Sequence, residues 1–313
     1  MKIIILLLLL AACAPIQPST AYITNQGDNT VSVIDINQAK VISTIKVGKA
    51  PVGVAVSRKL KRAFISNVES SNISVIDTNS NKVIATIALQ GAPVGLAMAP
   101  NNKTLYVADW YSDRILAIDT QNYKIQREVI VAKAPAGLMV SADSKTLYVA
   151  ARDTNDIAVI DTASLSIIKR IAVGKHPFGL SLSADNKTLI SVNVYDNTVS
   201  VINTDSFIVE NIKVGEHPYC VALNPNNKTI YATNTQDDTV SVIDLASKKT
   251  LATIDVGMTP EGISFDTVNN QVLVASWGQN QVGVIDANTN QLKSTIKTGD
   301  KSRAFGQFIL TTQ

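Results

Sequence analysis

The sequence predicts an all-β fold, a closed seven-bladed β-propeller whose blades are four-stranded antiparallel sheets. Two markers recur along the 313 residues. Hydrophobic triplets end at Asp35, Asp77, Asp119, Asp161, Asn203, Asp244 and Asp286, in steps of 42, 42, 42, 42, 41 and 42 residues. A second marker falls at Pro51, Pro93, Pro135, Pro177, Pro218 and Pro260, with Ser302 in the seventh place. A regular period near 40 residues indicates a repeat architecture.

Each repeat contains four short strands. In the first full repeat they cover 52–56, 63–67, 73–77 and 82–87, with turns of Asn, Asp, Ser and Lys between them. β-branched residues dominate, apolar positions alternate with period 2, and no segment sustains the 3.6-residue period of a helix. Four-stranded antiparallel units of this length are the blades of a propeller.

The two ends of the chain predict that the ring is closed. The chain enters the first repeat at a second strand, Ala21–Asn25, and finishes with a spare inner strand, Ala304–Ile309. Three N-terminal strands and one C-terminal inner strand complete a seventh blade only in a closed ring, because an open array would leave exposed sheet edges. Seven repeats of 42 less one residue make 293, which is the length of residues 21–313. We therefore expect a single propeller domain over 21–313.

The first residues are typical of an export signal. Met1-Lys2 precedes the apolar run Ile3–Leu10, which is too short to span a bilayer. Leu10-Ala11-Ala12-Cys13 resembles the bacterial lipobox, in which the cysteine is lipidated. The sequence thus predicts a lipoprotein signal peptide over 1–12, a lipidated Cys13 with a short linker over 13–20, and an extracytoplasmic, lipid-anchored protein on the periplasmic side of an outer membrane or at the cell surface. A soluble secreted form is the alternative.

Composition excludes several classes of protein. The balance of 28 Lys+Arg against 25 Asp+Glu is too even for a nucleic-acid footprint. Two cysteines cannot form a disulfide framework, and two histidines leave little for a histidine-rich metal cage. We therefore expect no cofactor and assign no metal ligands, although the pair of histidines leaves the question of a metal open.

Three recurring motifs resemble the YVTN-type β-propeller repeat. They are Tyr22-Ile23-Thr24-Asn25, Thr-Val-Ser-Val-Ile-Asp over 30–35 and 239–244, and Gly-x-x-Pro-x-Gly over 48–53 and 174–179. The resemblance covers essentially the whole chain after the signal and implies a bacterial or archaeal extracytoplasmic or surface protein. Similar propellers include lactonases and a periplasmic single-stranded-DNA binder, so the fold does not choose the activity.

The ring geometry separates charges onto two faces. With strands lettered A to D from the axis outward, alternating strand directions place the A–B and C–D turns on one face and the B–C and D–A connections on the other. The first, which we call the lysine face, carries most of the basic turn residues, and the opposite acidic face carries Asp and Glu in its B–C loops. Because the linker enters strand B from the lysine face, that face is expected to lie toward the membrane.

The Asp that closes each repeat has two interpretations. A ring of six aspartates is a conceivable cation site. One Asp per repeat at a strand end, before Thr, Asn or Ser, is better explained by Asx turns, in which the carboxylate accepts backbone N–H bonds from the following turn.

Candidate site residues occupy repeat positions at which some units differ from the others. Beside the proline marker, three units hold only Ala and Val, whereas four consecutive units carry His176, Phe178, His217, Tyr219, Glu261 and Arg303. The unusual residues of the B–C loops are Trp110, Tyr111, Arg152, Tyr195 and Trp277. Consecutive units are neighbouring blades, so the residues beside the proline marker are expected on one contiguous arc at the channel mouth of the acidic face, the face that also carries the B–C loops. Converging polar and aromatic groups indicate a binding site, and drift of the repeat is the alternative.

The predicted function is a membrane-anchored, monomeric binding module that recognises a protein, peptide or small ligand at this arc. A lactonase- or lyase-like enzyme at the same mouth is the second interpretation, with a His or Glu as base and Arg303 or Arg152 holding an oxyanion. No linear catalytic motif is present, so no catalytic residue is assigned. Single-stranded nucleic-acid binding is a weaker alternative, because the basic residues crowd the face that lacks Trp110 and Trp277.

Overall fold

The chain forms seven four-stranded antiparallel blades arranged in a ring, which confirms the predicted all-β propeller. The computed structural model describes residues 19–131 and 133–311. The predicted signal peptide and Cys13 lie outside these residues. Blade 1 contains β1 (Thr20–Asn25), β2 (Thr30–Asp35) and β3 (Lys40–Lys46) from the N-terminal end of the described chain, with β29 (Ile309–Leu310) as its inner strand.

Blades 2 to 7 follow the repeat, each beginning with its inner strand. Blade 2 contains β4 (Pro51–Ser57), β5 (Arg62–Asn67), β6 (Asn72–Asp77) and β7 (Lys82–Ala88), and blade 3 contains β8 (Pro93–Met98), β9 (Thr104–Asp109), β10 (Arg114–Asp119) and β11 (Ile125–Ile130). Blade 4 contains β12 (Pro135–Val140), β13 (Thr146–Ala151), β14 (Asp156–Asp161) and β15 (Ser166–Ala172), and blade 5 contains β16 (Pro177–Leu182), β17 (Thr188–Asn193), β18 (Thr198–Asn203) and β19 (Val209–Lys213). Blade 6 contains β20 (Pro218–Leu223), β21 (Thr229–Asn234), β22 (Thr239–Asp244) and β23 (Lys249–Asp255), and blade 7 contains β24 (Pro260–Asp266), β25 (Gln271–Ser276), β26 (Gln281–Asp286) and β27 (Gln291–Lys297).

Helix is almost absent from this part of the chain. Residues Arg152–Thr154 form a 3₁₀ turn between β13 and β14. Within residues 19–131 and 133–311, no helix has the length and apolar character needed to cross a membrane.

The hydrophobic core lies between neighbouring blades. The second and third strands of each blade are buried on both faces, whereas most residues of the outer strands are exposed, as in β7. At the axis the inner strands approach each other so closely that glycine is required. A Cβ at Gly95 would overlap the carbonyl oxygen of Ala136 on the next inner strand. The Pro-x-Gly marker therefore records a steric limit of the crowded axis.

The aspartates that end the third strands form Asx turns, as the sequence predicts. The Oδ1 atom of Asp77 accepts hydrogen bonds from the backbone N–H groups of Asn79 (3.2 Å) and Ser80 (2.9 Å). Backbone N–H donors at equivalent turn positions bond to the other six members of the set, Asp35, Asp119, Asp161, Asn203, Asp244 and Asp286. These bonds lower the pKa of Asp77 below its usual value, because they stabilise the charged carboxylate.

The ring is closed as predicted, but the C-terminal segment does more than supply an inner strand. In place of a continuous strand over Ala304–Ile309, the segment pairs with β1 at its two ends. Ser302 forms an isolated bridge with Asn25, and in β29 Ile309 lies opposite Ala21 and Leu310 opposite Thr20. Before it, β28 (Phe305–Gln307) crosses to blade 2 and pairs in parallel with β4. We call Phe305–Gln307 the plug.

Two extra residues in the chain explain the plug. In blade 2 the bulged inner strand places four residues between Pro51, opposite Asn67, and Val56, opposite Ala63. In blade 1 six residues lie between the equivalent Ser302, opposite Asn25, and Ile309, opposite Ala21. The surplus chain loops into the channel, and Gly306 adopts a φ of 111° at the bend.

Candidate functional site

The plug seals the channel below the predicted arc. Phe305 is 5% exposed and belongs to one hydrophobic cluster with Val52, Val94, Ala136 and Phe178, the residues that follow the proline marker in four successive blades. The ring centres of Phe305 and Phe178 are 4.9 Å apart. The residues that directly follow the marker proline therefore surround the plug. Those that are Val or Ala pack against it in the same way as Phe178.

Arg303 lies at the centre of a buried polar network. Its Nε atom donates to the Oε2 atom of Glu261, which is 8% exposed. Its Nη2 atom donates to the Tyr219 hydroxyl at 2.7 Å, and its Nη1 atom donates to the Oε1 atom of Gln26 at 3.3 Å. The guanidinium, which the sequence offered as a fork for an anionic ligand, is thus occupied by groups of the protein itself.

Burial and charge pairing set the protonation of this network. Burial raises the pKa of Glu261 above its usual value, and the attraction of Arg303 opposes that rise. Burial likewise raises the pKa of the Tyr219 hydroxyl, so it remains protonated at neutral pH. Although burial alone would lower the pKa of Arg303, its attraction to Tyr219 and Glu261 raises it, so the guanidinium stays charged. The arrangement is a paired, hydrogen-bonded support with no free nucleophile.

Contacts extend from this support to residues of the B–C loops. The Trp277 indole Nε1 donates to the same Gln26 oxygen at 3.1 Å, and the Lys301 ammonium lies 5.1 Å from the centre of the Trp277 ring. On the other side, the Trp110 ring lies 5.7 Å from Phe178, and the Arg152 guanidinium lies 5.0 Å from the Trp110 ring. Residues beside the proline marker and residues of the B–C loops therefore meet around the channel mouth.

The two histidines form a separate group with Tyr195. The ring centres of His176 and Tyr195 are 4.0 Å apart, and those of Tyr195 and His217 are 5.4 Å apart. Both histidines have a positive φ before the marker proline. The Oδ1 atoms of Asn155 and Asn197 hold them there by accepting their backbone N–H bonds at 2.9 and 3.0 Å.

This geometry keeps the histidines apart from Glu261 and Arg303. Burial and the nearby Arg152 lower the pKa of His176, and its buried Nδ1 atom has no hydrogen-bond partner. Within residues 19–131 and 133–311, no hydrogen bond joins His176 or His217 to Glu261 or Arg303. No group of three or more His, Cys, Asp and Glu side chains in the same ranges is arranged to hold a metal ion.

The accessible part of the arc is a band of aromatic and cationic side chains, which we call the aromatic rim: Trp110, Tyr111, Arg152, Tyr195 and Trp277. Tyr111 and Tyr195 are 81% and 53% exposed, and the other three members are partly exposed. Trp, Tyr and Arg are the residue types that dominate binding energy at protein interfaces. The rim and its buried support suit recognition of a surface, because Phe305 of the plug packs across the channel beneath them.

An open cavity is present at the opposite mouth, on the lysine face, where the sequence predicted no site. It has a volume of about 370 Å³, and its floor includes Phe305 and Gly306 of the plug. Cys220 also contributes to its wall, is 5% exposed and stands where the other marker motifs of blades 2 to 7 have glycine. Burial raises the pKa of the Cys220 thiol, which makes it a poor nucleophile.

The residues that sequence reasoning missed are Gln26, Lys301 and the plug. Gln26 and Trp277 are 251 residues apart in the chain and meet only because blades 1 and 7 are neighbours in the closed ring. Lys301 occupies the same repeat position as the two histidines, where the first three units have Ala. This difference from Ala was the feature of the sequence that could have identified it. Phe305 was visible only as the unusual residue of an atypical last repeat.

Comparison with known proteins supports the fold. A family model described as "Lactonase, 7-bladed beta-propeller" matches residues 117–208, which is 92 of 313 residues and thus less than half of the chain. No curated protein matches the sequence. The hydrazine synthase of Kuenenia stuttgartiensis is similar in structure, with a TM-score of 0.79 and 21% identity over 85% of this chain and 92% of that one.

Two further solved structures share the architecture. A functionally unknown protein from Desulfotomaculum acetoxidans DSM 771 has a TM-score of 0.79 and 11% identity, over 92% of this chain and 99% of its own. Dihydro-heme d1 dehydrogenase NirN, in complex with DHE, has a TM-score of 0.69 and 16% identity over 89% of this chain, which spans 63% of NirN. These likenesses establish the fold.

Proposed function

We propose that this protein is a lipid-anchored, extracytoplasmic propeller of the YVTN type that binds a protein or peptide partner at the aromatic rim. The observation that carries the proposal is the rim itself, a set of accessible Trp, Tyr and Arg side chains from blades 3, 4, 5 and 7 around a buried and hydrogen-bonded support. Trp and Tyr side chains bury large areas with little loss of rotamer entropy, and a rigid support avoids an ordering cost on binding.

The sealed channel favours a macromolecular partner over a small ligand at this mouth. A small-molecule site buries most of its ligand in a concavity. On the acidic face, Phe305 fills the axis and Arg303 is saturated by Glu261, Tyr219 and Gln26, so the accessible groups lie around a filled centre. A partner surface or an extended peptide can contact several rim residues at once without entering the channel.

Site-specific photo-crosslinking in cells tests this proposal. A photoreactive phenylalanine analogue at Tyr111 or Tyr195 is expected to yield a discrete adduct, which the double substitution Trp110→Ala/Arg152→Ala should reduce at least fivefold. The matched control is the same analogue at Leu251, an exposed apolar residue on the outer strand β23 (55% exposed). Identical adducts from Leu251 and from the rim would refute a binding surface at the rim.

Lactone hydrolysis is the second candidate function, and the family match over residues 117–208 is the observation that favours it. That span contains Arg152, His176 and Tyr195, which the structure groups on the acidic face. The test is hydrolysis of sugar and acyl lactones by the purified protein. Turnover that is lost in both His176→Ala and Arg152→Ala, but kept in Lys301→Ala, would favour an enzyme over a binding module.

The lipid anchor is proposed from the lipobox alone, and it has its own test. Cys13→Ser should abolish lipid attachment, because the thiol is the acyl acceptor, and the variant should be released or remain unprocessed. Phase partitioning in a nonionic detergent measures this directly. A cleaved Cys13→Ser protein that still enters the detergent phase would contradict the lipoprotein interpretation.

A further inference from the structure

The cavity on the lysine face is a blind pocket lined by apolar and uncharged polar residues, with a basic surround. We propose that it binds a single-chain amphipathic anion, an alkyl carboxylate of about ten carbons, with the chain in the cavity and the head group at the basic mouth. This site is on the face opposite the aromatic rim, so it does not depend on partner binding there.

The walls fit an alkyl chain. Leu96, Met98, Leu138 and Leu182 are among the residues that line the cavity, and Phe305 contributes to the floor. No charged side chain lines this cavity among the described residues, so an ionised group at its floor would lose hydration without a partner. The occupant of the inner part is therefore apolar.

The size limits the chain length. Small-molecule sites begin at about 300 Å³, and the cavity measures about 370 Å³. At about 30 Å³ for a water-sized group, that volume holds about twelve non-hydrogen atoms. Because the plug closes the far end, a chain enters from the lysine face alone. A single chain of about ten carbons fills the space, whereas a two-chain lipid does not fit.

The charge around the mouth selects the head group. The A–B turns of blades 2 to 7 cover 58–61, 99–103, 141–145, 183–187, 224–228 and 267–270. They contain seven Lys and Arg residues against two carboxylates, Asp143 and Asp185, an excess of 7 − 2 = 5 positive charges. Both carboxylates already accept hydrogen bonds, at 2.6 Å, from the hydroxyls of Ser141 and Ser183. Arg58 and Lys59 line a depression that shares Val56, Met98 and Gln307 with the cavity.

Titration with three ligands of equal chain length tests the proposal on the full-length protein. Decanoate, decanol and decyltrimethylammonium differ only in the head group. By isothermal titration calorimetry we expect one site per chain, with a Kd for decanoate at least tenfold lower than for decanol and lowest affinity for the cation. Equal affinity for decanoate and decyltrimethylammonium would overturn the charge argument.

Two pairs of variants locate the site. Ser264 lines the cavity and is half-buried, so Ser264→Trp should fill it and raise the Kd of decanoate at least tenfold. The control Thr86→Trp adds the same side chain to an exposed position of β7 and should leave the Kd unchanged. Arg58→Gln/Lys59→Gln should weaken decanoate, whereas Lys82→Gln/Lys124→Gln removes the same charge farther from the axis and should not.

Alkylation of Cys220 in the unmodified protein keeps the proposal testable if a variant fails to fold. Because burial raises the pKa of the Cys220 thiol, its reaction with iodoacetamide is followed at alkaline pH over an extended time and located by peptide mass spectrometry. Cys220 contributes to the cavity wall, so decanoate should slow this reaction at least fivefold. Unchanged alkylation at saturating decanoate would overturn the location. Displacement of decanoate by a single-chain lysophosphatidylglycerol from wild type assigns a membrane-derived lipid chain as the source. Decanoate binding that lysophosphatidylglycerol does not displace assigns a free acid.

Discussion

Removal of the Arg303 guanidinium should destabilise the propeller even though Arg303 lies in a candidate binding site. In Arg303→Met, the carboxylate of Glu261 stays buried without its ion-pair partner, and the Tyr219 hydroxyl loses its hydrogen bond. Breaking a buried pair by removing one partner costs about 3–5 kcal/mol, because an uncompensated charge remains. At about 2 °C per kcal/mol for a chain of this size, the melting temperature should fall by about 6–10 °C.

The double variant Arg303→Met/Glu261→Leu separates charge from packing. It replaces the pair with apolar side chains of similar volume, which is often close to neutral, so most of the loss should be recovered. Thermal unfolding followed by circular dichroism at pH 7 measures all four proteins of the cycle. A single variant that loses less than about 1 kcal/mol, or a double variant that loses as much as the single one, would refute the reasoning.

The pH dependence of the single variant gives an independent check. Burial raises the pKa of Glu261 above 4.5, and loss of Arg303 removes the attraction that opposes this rise. An acid with a raised pKa binds its proton more tightly in the folded state, so stability is present below the unfolded pKa and is lost as the pH rises through the folded pKa. The deficit of Arg303→Met should therefore be smaller at pH 5 than at pH 7.

Three further predictions follow from the fold. Deletion of Arg303–Gln313 removes two buried phenylalanines and the inner strand of blade 1, so it should cost more than about 6 kcal/mol, and an unchanged midpoint in a thermal melt would contradict the closed ring. Gly95→Ala should destabilise the fold by several kcal/mol, on the order of an overpacked core, because its Cβ would overlap a backbone carbonyl. In the control variant Gly283→Ala, the new Cβ comes close only to the flexible end of a leucine side chain, so the cost should be small. Equal denaturant midpoints for the two variants would contradict the steric limit at the axis. The lowered pKa of His176 means that the folded state binds a proton less tightly than the unfolded chain, so its contribution is present above pH 6.5 and is lost as the pH falls below it. His176→Asn should flatten the decline in melting temperature between pH 7 and pH 5, and an unchanged slope would show that His176 does not contribute to it.

The amino-acid sequence by itself determined the architecture, because the same local pattern of strands and turns occurs seven times along the chain. The period gave the number of blades, the strand pattern gave four strands in each, and the aspartates gave the turns that the Asp77 hydrogen bonds now show. The Pro-x-Gly marker reported the crowded axis, since only glycine permits the approach of inner strands seen at Gly95. All of these features depend on neighbours within one repeat or the next.

The tertiary structure decided what the departures from the repeat do. From the sequence, Arg303 and Tyr219 offered groups to a ligand, but in the ring they bond to each other and to Glu261 and Gln26. No periodic pattern predicts that pairing, because it joins residues from blades 6, 7 and 1 and depends on how the ends meet. The plug likewise arises from two surplus residues in a repeat with no exact counterpart, and it leaves the open cavity on the lysine face. The local sequence pattern therefore determined the number and strand content of the blades. Closure of the ring determined which side chains bond to other groups of the protein and which mouth of the channel is open.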